Sequence, residues 1–382
     1  MGTINRKAKI FACVCAAFLL MSGCGGGDGR TEVKEIPAEE LSASPYVNWY
    51  GRNYSDEGTG SVMFNYSVAG FETCFEGTSL TATFFGATSQ EGYGNSFLSV
   101  FVDGRENVLE LSSGEKEYVL CSGLDPGKHL VKVLKRTELQ FTSAGVSSLV
   151  TDGHFLPAPD KPALRFEFYG DSITCGYGSV SEIGEKGFRT AEESALSTYA
   201  YLTAEHFGAQ SNFICYSGWY ISKSVTGTTE GNIRNVYDVY SKDNRTAWDF
   251  SAYVPEVIVV NLGANDENYI NLCVTESTTK GERMQYFDEQ YTAFVKDLRM
   301  VYPQAYIFLV TGMLGESTVP NVILSIGESL RMDGDDRVFA TTLYARDNPS
   351  ELGADGHPSA AAHEKAAEEL VGFIEECVPE LF

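Results

Sequence analysis

Apolar and polar positions alternate through residues 46–156: Val62, Phe64, Tyr66 and Val68 are separated by single residues, as are Leu80, Ala82 and Phe84, and again Leu98, Val100 and Val102. Successive side chains of an extended chain leave on opposite faces, so this period of two predicts half-buried β-strands. Asp103-Gly104 and Asp125-Pro126-Gly127 fall between such runs, where their residue types fit tight turns. No stretch of this region carries a helical period of any length. Many short strands bury their apolar faces best as a two-sheet sandwich, because a lone antiparallel sheet leaves one apolar face in water.

The pattern changes after Pro157, Pro159 and Pro162. Strands are predicted at 164–169, 211–216, 256–262, 305–311 and 337–343, and helices at 194–206, 283–301 and 359–377. The last helix sets Ala366, Leu370, Ile374 and Val378 on one face. Alternating strands and helices predict a parallel sheet covered on both sides, with its ligand site beyond the carboxyl ends of the strands.

The front of the chain reads differently again. Arg6, Lys7 and Lys9 precede an apolar run over 10–21 that closes with Ser22-Gly23-Cys24, a secretory signal too short to be a spanning helix. Small residues directly before a cysteine, followed by Gly25-Gly26-Gly27, resemble the end of a bacterial lipoprotein signal. That resemblance implies removal of residues 1–23, lipidation of Cys24 and an exported protein anchored to a membrane; ordinary cleavage with Cys24 incidental is the alternative. Each buried methylene contributes ~0.8 kcal/mol, so two acyl chains anchor stably. Residues 24–44 are rich in Gly, Glu and Ser and read as a structureless tether. The expected division is therefore signal 1–23, tether 24–44, sandwich 45–157 and α/β domain 163–382.

Composition narrows the partners. The net charge of −24 becomes more negative when the leader takes three basic residues and no acidic one. Such a surface repels phosphate backbones and excludes nucleic acid as a partner. Of nine cysteines, Cys13 and Cys15 leave with the leader and Cys24 would carry the lipid; the remaining six match no zinc spacing, and an exported compartment permits disulfides that sequence cannot pair. No metal or organic cofactor is implied.

Four turns fall at the carboxyl edge of the predicted sheet. Gly170-Asp171-Ser172 follows the first strand, Ser217-Gly218 the second and Gly263-Ala264-Asn265-Asp266 the third, while Asp355-Gly356-His357-Pro358 lies between the last strand and the last helix. A serine on a strand-ending glycine turn is how an α/β enzyme exposes a nucleophilic hydroxyl. Ser172 needs a base, and of the five histidines only His357 falls in a loop on that edge; His206 and His363 lie on predicted helices, where solvated roles are expected. Asp355 is the candidate for orienting the imidazole, with a turn aspartate bonding nearby amides as the alternative. The backbone N–H groups of Ser172 and Gly218 and the Asn265 side-chain amide are candidate oxyanion donors. Cys175 is expected to pack beneath the turn.

These four blocks resemble those of the SGNH (GDSL) hydrolases over 163–382. The front half is similar to something narrower: Trp49-Tyr50-Gly51-Arg52, Phe75-Glu76-Gly77-Thr78-Ser79, Val102-Asp103-Gly104, Gly127-Lys128-His129 and Lys135-Arg136-Thr137-Glu138, leading into Tyr169-Gly170-Asp171-Ser172-Ile173-Thr174-Cys175-Gly176-Tyr177-Gly178, resemble carbohydrate esterase family two. That family joins a jelly-roll domain to an SGNH domain and deacetylates plant polysaccharides such as xylan and glucomannan. The resemblance implies a flavodoxin-like three-layer catalytic domain, Ser172 as nucleophile, His357 as base, and Ser172, Gly218 and Asn265 as the oxyanion hole. The wider superfamily places its aspartate three residues before the histidine, where this chain has Ala354; some narrower-family members use a backbone carbonyl instead of an acid. The family also sets an aromatic ring against the sugar. Trp219 is the candidate here, with a core tryptophan as the alternative, since sequence position does not give side-chain direction.

Two other functions compete with an O-acetyl esterase acting on acetylated polysaccharide. One is a lipase or thioesterase on acyl esters, separated by a chain-length series of nitrophenyl esters. The other is a non-catalytic surface glycan-binding lipoprotein, in which Ser172 would not react with a fluorophosphonate.

Overall fold

The alternation in the front half builds two antiparallel sheets packed face to face. The computed structural model describes residues 32–89, 92–344 and 349–382, so the leader and Cys24 lie outside the described residues. One sheet runs in the order Tyr54–Asp56, Ser61–Met63, Thr142–Thr151, Leu80–Thr88, Gly114–Cys121; the other runs His154–Leu156, Gly70–Gly77, Gly127–Lys135, Ser96–Val102, Arg105–Leu111. Apart from the hairpins Tyr54–Asp56/Ser61–Met63 and Ser96–Val102/Arg105–Leu111, these consecutive strands alternate between the two sheets, as in a jelly roll. Leu80, Ala82 and Phe84 all point inward, and Phe64, Phe71 and Phe84 meet between the sheets with Phe64 edge-on to both others at 6.1 and 6.4 Å.

One predicted strand behaves differently. Val62, Phe64, Tyr66 and Val68 are buried as expected, but so are the residues between them, and pairing stops at Met63. The cause is a second covering surface: Tyr66 receives a 3.0 Å hydrogen bond from Tyr216 of the following domain.

Residues 24–44 were expected to lack structure, and the described part corrects this. Glu35–Pro37 pairs with Ser148, Leu149 and Val150, and Ala38–Leu41 forms a helical turn. Leu41 is 0% exposed and Ile36 is buried beside it, so two apolar side chains fasten this segment to the sandwich core. Leu41→Ala is expected to destabilise the protein by about 2–5 kcal/mol, as other buried leucine truncations do. A urea unfolding curve reads this; an unchanged midpoint would mean the segment is dispensable.

The back half is a five-stranded parallel sheet in the order Gln210–Cys215, Arg165–Gly170, Val257–Asn261, Tyr306–Thr311, Val338–Thr342. The three central strands are almost continuously buried, as both-face coverage requires. Phe166 and Phe168 pack on the side of helices Tyr199–His206 and Ala360–Cys377, whereas Tyr169, Ile258 and Val260 face Lys280–Val301 and Val319–Met332. Lys280–Val301 opens on a Thr279/Glu282 capping box. The predicted helix over 194–206 divides at Thr198 into a short 3₁₀ turn, Ala195–Ser197, and Tyr199–His206. Strand order reverses beside Arg165–Gly170, which places the switch-point crevice at its carboxyl end.

His363 departs from its expected solvated role: it is buried, and its Nδ1 accepts the Tyr199 N–H at 3.2 Å. Burial, with a smaller push from His357, drives its pKa down to about 3. Between that value and an unfolded value of about 6.5 the native state binds fewer protons than the unfolded one. Stability is therefore full above about pH 6.5 and falls as pH drops through this window. His363→Gln, which keeps a neutral acceptor, should flatten the loss between about pH 7 and about pH 5 in urea melts; an equally steep loss would place the acid sensitivity elsewhere.

Candidate active site

Gly170 ends the first parallel strand because a side chain has no room there: a Cβ would lie 2.0 Å from Thr174 Oγ1. Asp171 caps the single helical turn Ser172–Cys175 by accepting the Ile173 N–H at 3.0 Å, and Gly176 ends that turn at φ +82°. The first N–H groups of a helix have no intrahelical acceptor, so the Ser172 N–H remains available beside its own hydroxyl. Asp171 is wholly buried, and burial pushes its carboxyl up to about 8.

His357 reaches Ser172 from a loop that crosses the chain just beyond the serine turn. A Cβ on Gly178 would lie 2.5 Å from Ala354 Cβ, and the Ala354 N–H donates to Gly178 O at 3.2 Å. This close approach docks the 3₁₀ turn Ala354–Gly356 there and brings His357 Nε2 to 2.8 Å from Ser172 Oγ. The imidazole packs on Tyr177, with ring centroids 4.3 Å apart. Tyr177 also stacks on Phe188 at 4.0 Å, and Phe188 touches Phe141 of the sandwich at 4.9 Å. Five residues after Ser172, Tyr177 carries no sequence signal that it meets His357.

Asp355 is placed otherwise than the orienting role requires. Its backbone is left-handed, φ +50°, and its carboxylate accepts the Tyr177 hydroxyl and the Gly187 N–H, each at 3.0 Å. Those bonds, Gly187 foremost, hold its carboxyl below the usual value. No hydrogen bond joins Asp355 to His357; the two interact through charge and through Tyr177. Asp355→Ala should therefore lower kcat on 4-nitrophenyl acetate by about tenfold or less, against ~10⁴ where a triad carboxylate bonds the imidazole. A loss near the larger figure would restore the direct role.

The oxyanion candidates do converge. Asn265, in the first turn of helix Ala264–Leu272, donates from Nδ2 to Trp219 O at 2.8 Å and to Asp171 Oδ2 at 3.3 Å, so its amide lies between the serine turn and the Gly218 turn. Gly218 is exposed with φ +79°, a backbone conformation that a side chain would strain. Its neighbour Ser217 donates both its N–H, at 2.7 Å, and its hydroxyl to Glu138 of the sandwich. Asp266, buried one residue after Asn265, accepts the Ile221 and Ser222 N–H groups at 3.1 and 2.8 Å and ties the next segment to the same helix. Burial pushes its carboxyl up to about 6.

Of the two alternatives for Trp219, the structure shows the core tryptophan and not a ring open to a sugar. It is only 9% exposed and stacks on Tyr216 at 4.2 Å; its carbonyl, not its ring face, serves the site by holding Asn265. Cys175 is buried beneath the turn as expected, and all six cysteines of the described residues are free thiols.

Residues 49–159 match the family described as Carbohydrate esterase 2 N-terminal, and residues 168–365 match the GDSL-like Lipase/Acylhydrolase family. The chain is 28% identical over 337 residues to a cellulase/esterase of Acetivibrio thermocellus, covering 84% of this chain but 40% of that protein. It is also 28% identical over 337 residues to an acetylxylan esterase/glucomannan deacetylase of Cellvibrio japonicus, covering 86% of this chain and 88% of the relative. A family two carbohydrate esterase from Clostridium thermocellum, solved with cellohexaose, superposes with a TM-score of 0.78 at 27% identity, over 87% of this chain and 99% of that one. With its serine, histidine and asparagine gathered at the switch point and a jelly roll in front, the chain belongs to the GDSL-like lipase/acylhydrolase family, in the form that carries a carbohydrate esterase 2 N-terminal domain.

Proposed function

We propose that the protein is a serine O-acetyl esterase that removes acetyl groups from a plant cell-wall polysaccharide such as acetylated xylan, mannan or glucomannan. The observation that carries the chemistry is the 2.8 Å contact between Ser172 Oγ and His357 Nε2 at the carboxyl edge of the sheet. Ser172 Oγ attacks the acetyl carbonyl while His357 takes its proton. The developing oxyanion is met by the N–H groups of Ser172 and Gly218 and the Asn265 amide. Collapse breaks the ester bond, the imidazolium protonates the departing sugar hydroxyl, and the acetyl group stays on Ser172. Water, deprotonated by His357, then releases acetate. The activities named for the Cellvibrio relative, together with the front domain match, support a glycan rather than a lipid as the acyl carrier.

The mature protein should release acetate from acetylated xylan or mannan in a Ser172-dependent manner and should prefer two-carbon over eight-carbon nitrophenyl esters. The reverse chain-length preference would point to a lipase or thioesterase instead. The signal-like leader supports export and anchoring through a lipidated Cys24. Cys24→Ala would then move the protein from the membrane fraction to the soluble one, and retention in membranes would refute that anchor.

A further inference from the structure

The buried seam between the sandwich and the hydrolase domain holds a polar cluster that the reaction as described does not use. Glu138, Cys175 and Glu193 have ligand-type atoms within 4.8 Å of one another, and all three residues are buried. The Lys135 side chain is buried beside the two carboxyls, and its Nζ donates to Thr137 O at 2.6 Å and Thr142 Oγ1 at 3.1 Å. Both Glu138 oxygens are occupied as acceptors from Ser217, which leaves them poorly placed for a metal.

Resting on the ester-hydrolase reading above, we propose that Glu138 is a positioning residue for catalysis. From the sandwich it grips Ser217 and so holds the Gly218 N–H at the oxyanion position of the other domain.

Gly218 cannot hold itself. It is exposed, and the space where its Cβ would lie has no atom within 4 Å. Its direction is set by its flanks. On one side Trp219 is fixed by its stack on Tyr216 and by the Asn265 bond to its carbonyl. On the other, Ser217 is fixed through two donors to the two oxygens of one buried carboxyl group. Glu138 is in turn immobile. It is 0% exposed, its N–H donates to Glu193 Oε2 at 3.1 Å, and its carbonyl accepts the Thr142 N–H at 3.3 Å and hydroxyl at 3.2 Å. Burial raises both glutamates and pushes Lys135 down to about 7.

The test compares 4-nitrophenyl acetate with its thiono analogue, whose carbonyl oxygen is replaced by sulfur. Sulfur accepts hydrogen bonds weakly, so an aligned oxyanion hole favours the oxygen ester and a misaligned one loses that preference. Glu138→Ala and Ser217→Ala should each lower kcat on the oxygen ester by about tenfold to a hundredfold, part of the loss seen on removing a whole oxyanion donor. KM should stay unchanged, the ratio of oxygen-ester to thionoester rates should fall, and the acid limb of the pH profile should not move. Glu138→Gln, which keeps an acceptor for Ser217, should recover part of the rate. An unchanged kcat overturns the proposal, as does a loss that is equal on both substrates, since that is the mark of less folded protein. If Glu138→Ala does not fold, the rate ratio of Ser217→Ala decides by the same criterion. Absence of Ser172-dependent turnover in the unsubstituted protein would remove the hydrolase reading and this inference with it.

Discussion

Ser172→Ala is expected to lower kcat on 4-nitrophenyl acetate by at least about 10⁴-fold while leaving the protein folded. The side chain is 5% exposed and its loss removes one hydroxyl oxygen, so the expected structural disturbance is small. What disappears is the acyl-enzyme route itself. The remaining donors still stabilise an oxyanion formed by direct water attack, which is why some acceleration over the uncatalysed reaction survives. His357→Ala should fall to a similar level, and the double variant should be no worse than either single one, because a nucleophile and its base act as one unit. Rates from purified variants, with circular dichroism to confirm folding, decide the matter. A Ser172→Ala enzyme within about tenfold of the parent would show that another residue performs the attack.

The second large effect belongs to Asn265. Asn265→Ala should reduce kcat by about 10²–10³ with little change in KM, because its amide acts on the charge that develops in the transition state. The two ground-state bonds of its Nδ2 have different meanings. The 2.8 Å bond to Trp219 O fixes the plane of the amide, whereas the 3.3 Å bond to Asp171 is long. Asn265→Asp makes the point more sharply. It preserves the size and replaces the donor by an acceptor, so a rate close to the parent's would exclude Asn265 from the oxyanion hole.

Much of this site could be read in the sequence, and the rest could not for identifiable physical reasons. Ser172, Gly218, Asn265 and His357 follow strands or precede helices, and chain order alone brings strand ends of a parallel sheet to one edge. Asp355 was harder. Whether a residue two positions before a histidine faces it depends on the sign of one backbone angle, and at Asp355 that angle is positive. Trp219 has the same difficulty in its side chain: adjacency to Gly218 says nothing about the ring turning in onto Tyr216. The strand Glu35–Pro37 and turn Ala38–Leu41 are too short to carry a period, and only tertiary burial of Ile36 and Leu41 makes them structure. Only Gly263–Asp266 of helix Ala264–Leu272 is visible in the sequence, as a turn, because Asn265 and Asp266 are spent on the site and its supporting loop instead of on an apolar stripe. Val319–Met332 was also missed, although its apolar face is strong once seen against the sheet.

The prolines between the two halves look like a natural place to divide the chain, yet the seam they bridge says otherwise. Arg52 reaches from the front half with its guanidinium donating to backbone carbonyls of Val236 and Tyr237, at 3.3 and 2.7 Å, and lies 4.8 Å over the Trp248 ring. Tyr66 meets Tyr216, and Glu138 meets Ser217. Such an arrangement ties the history of the two halves together. A hydrolase half transplanted onto another front domain would arrive with stranded carbonyls and an uncovered aromatic face, so recombination among proteins of this design should preserve the pair as a single cassette rather than shuffle its halves.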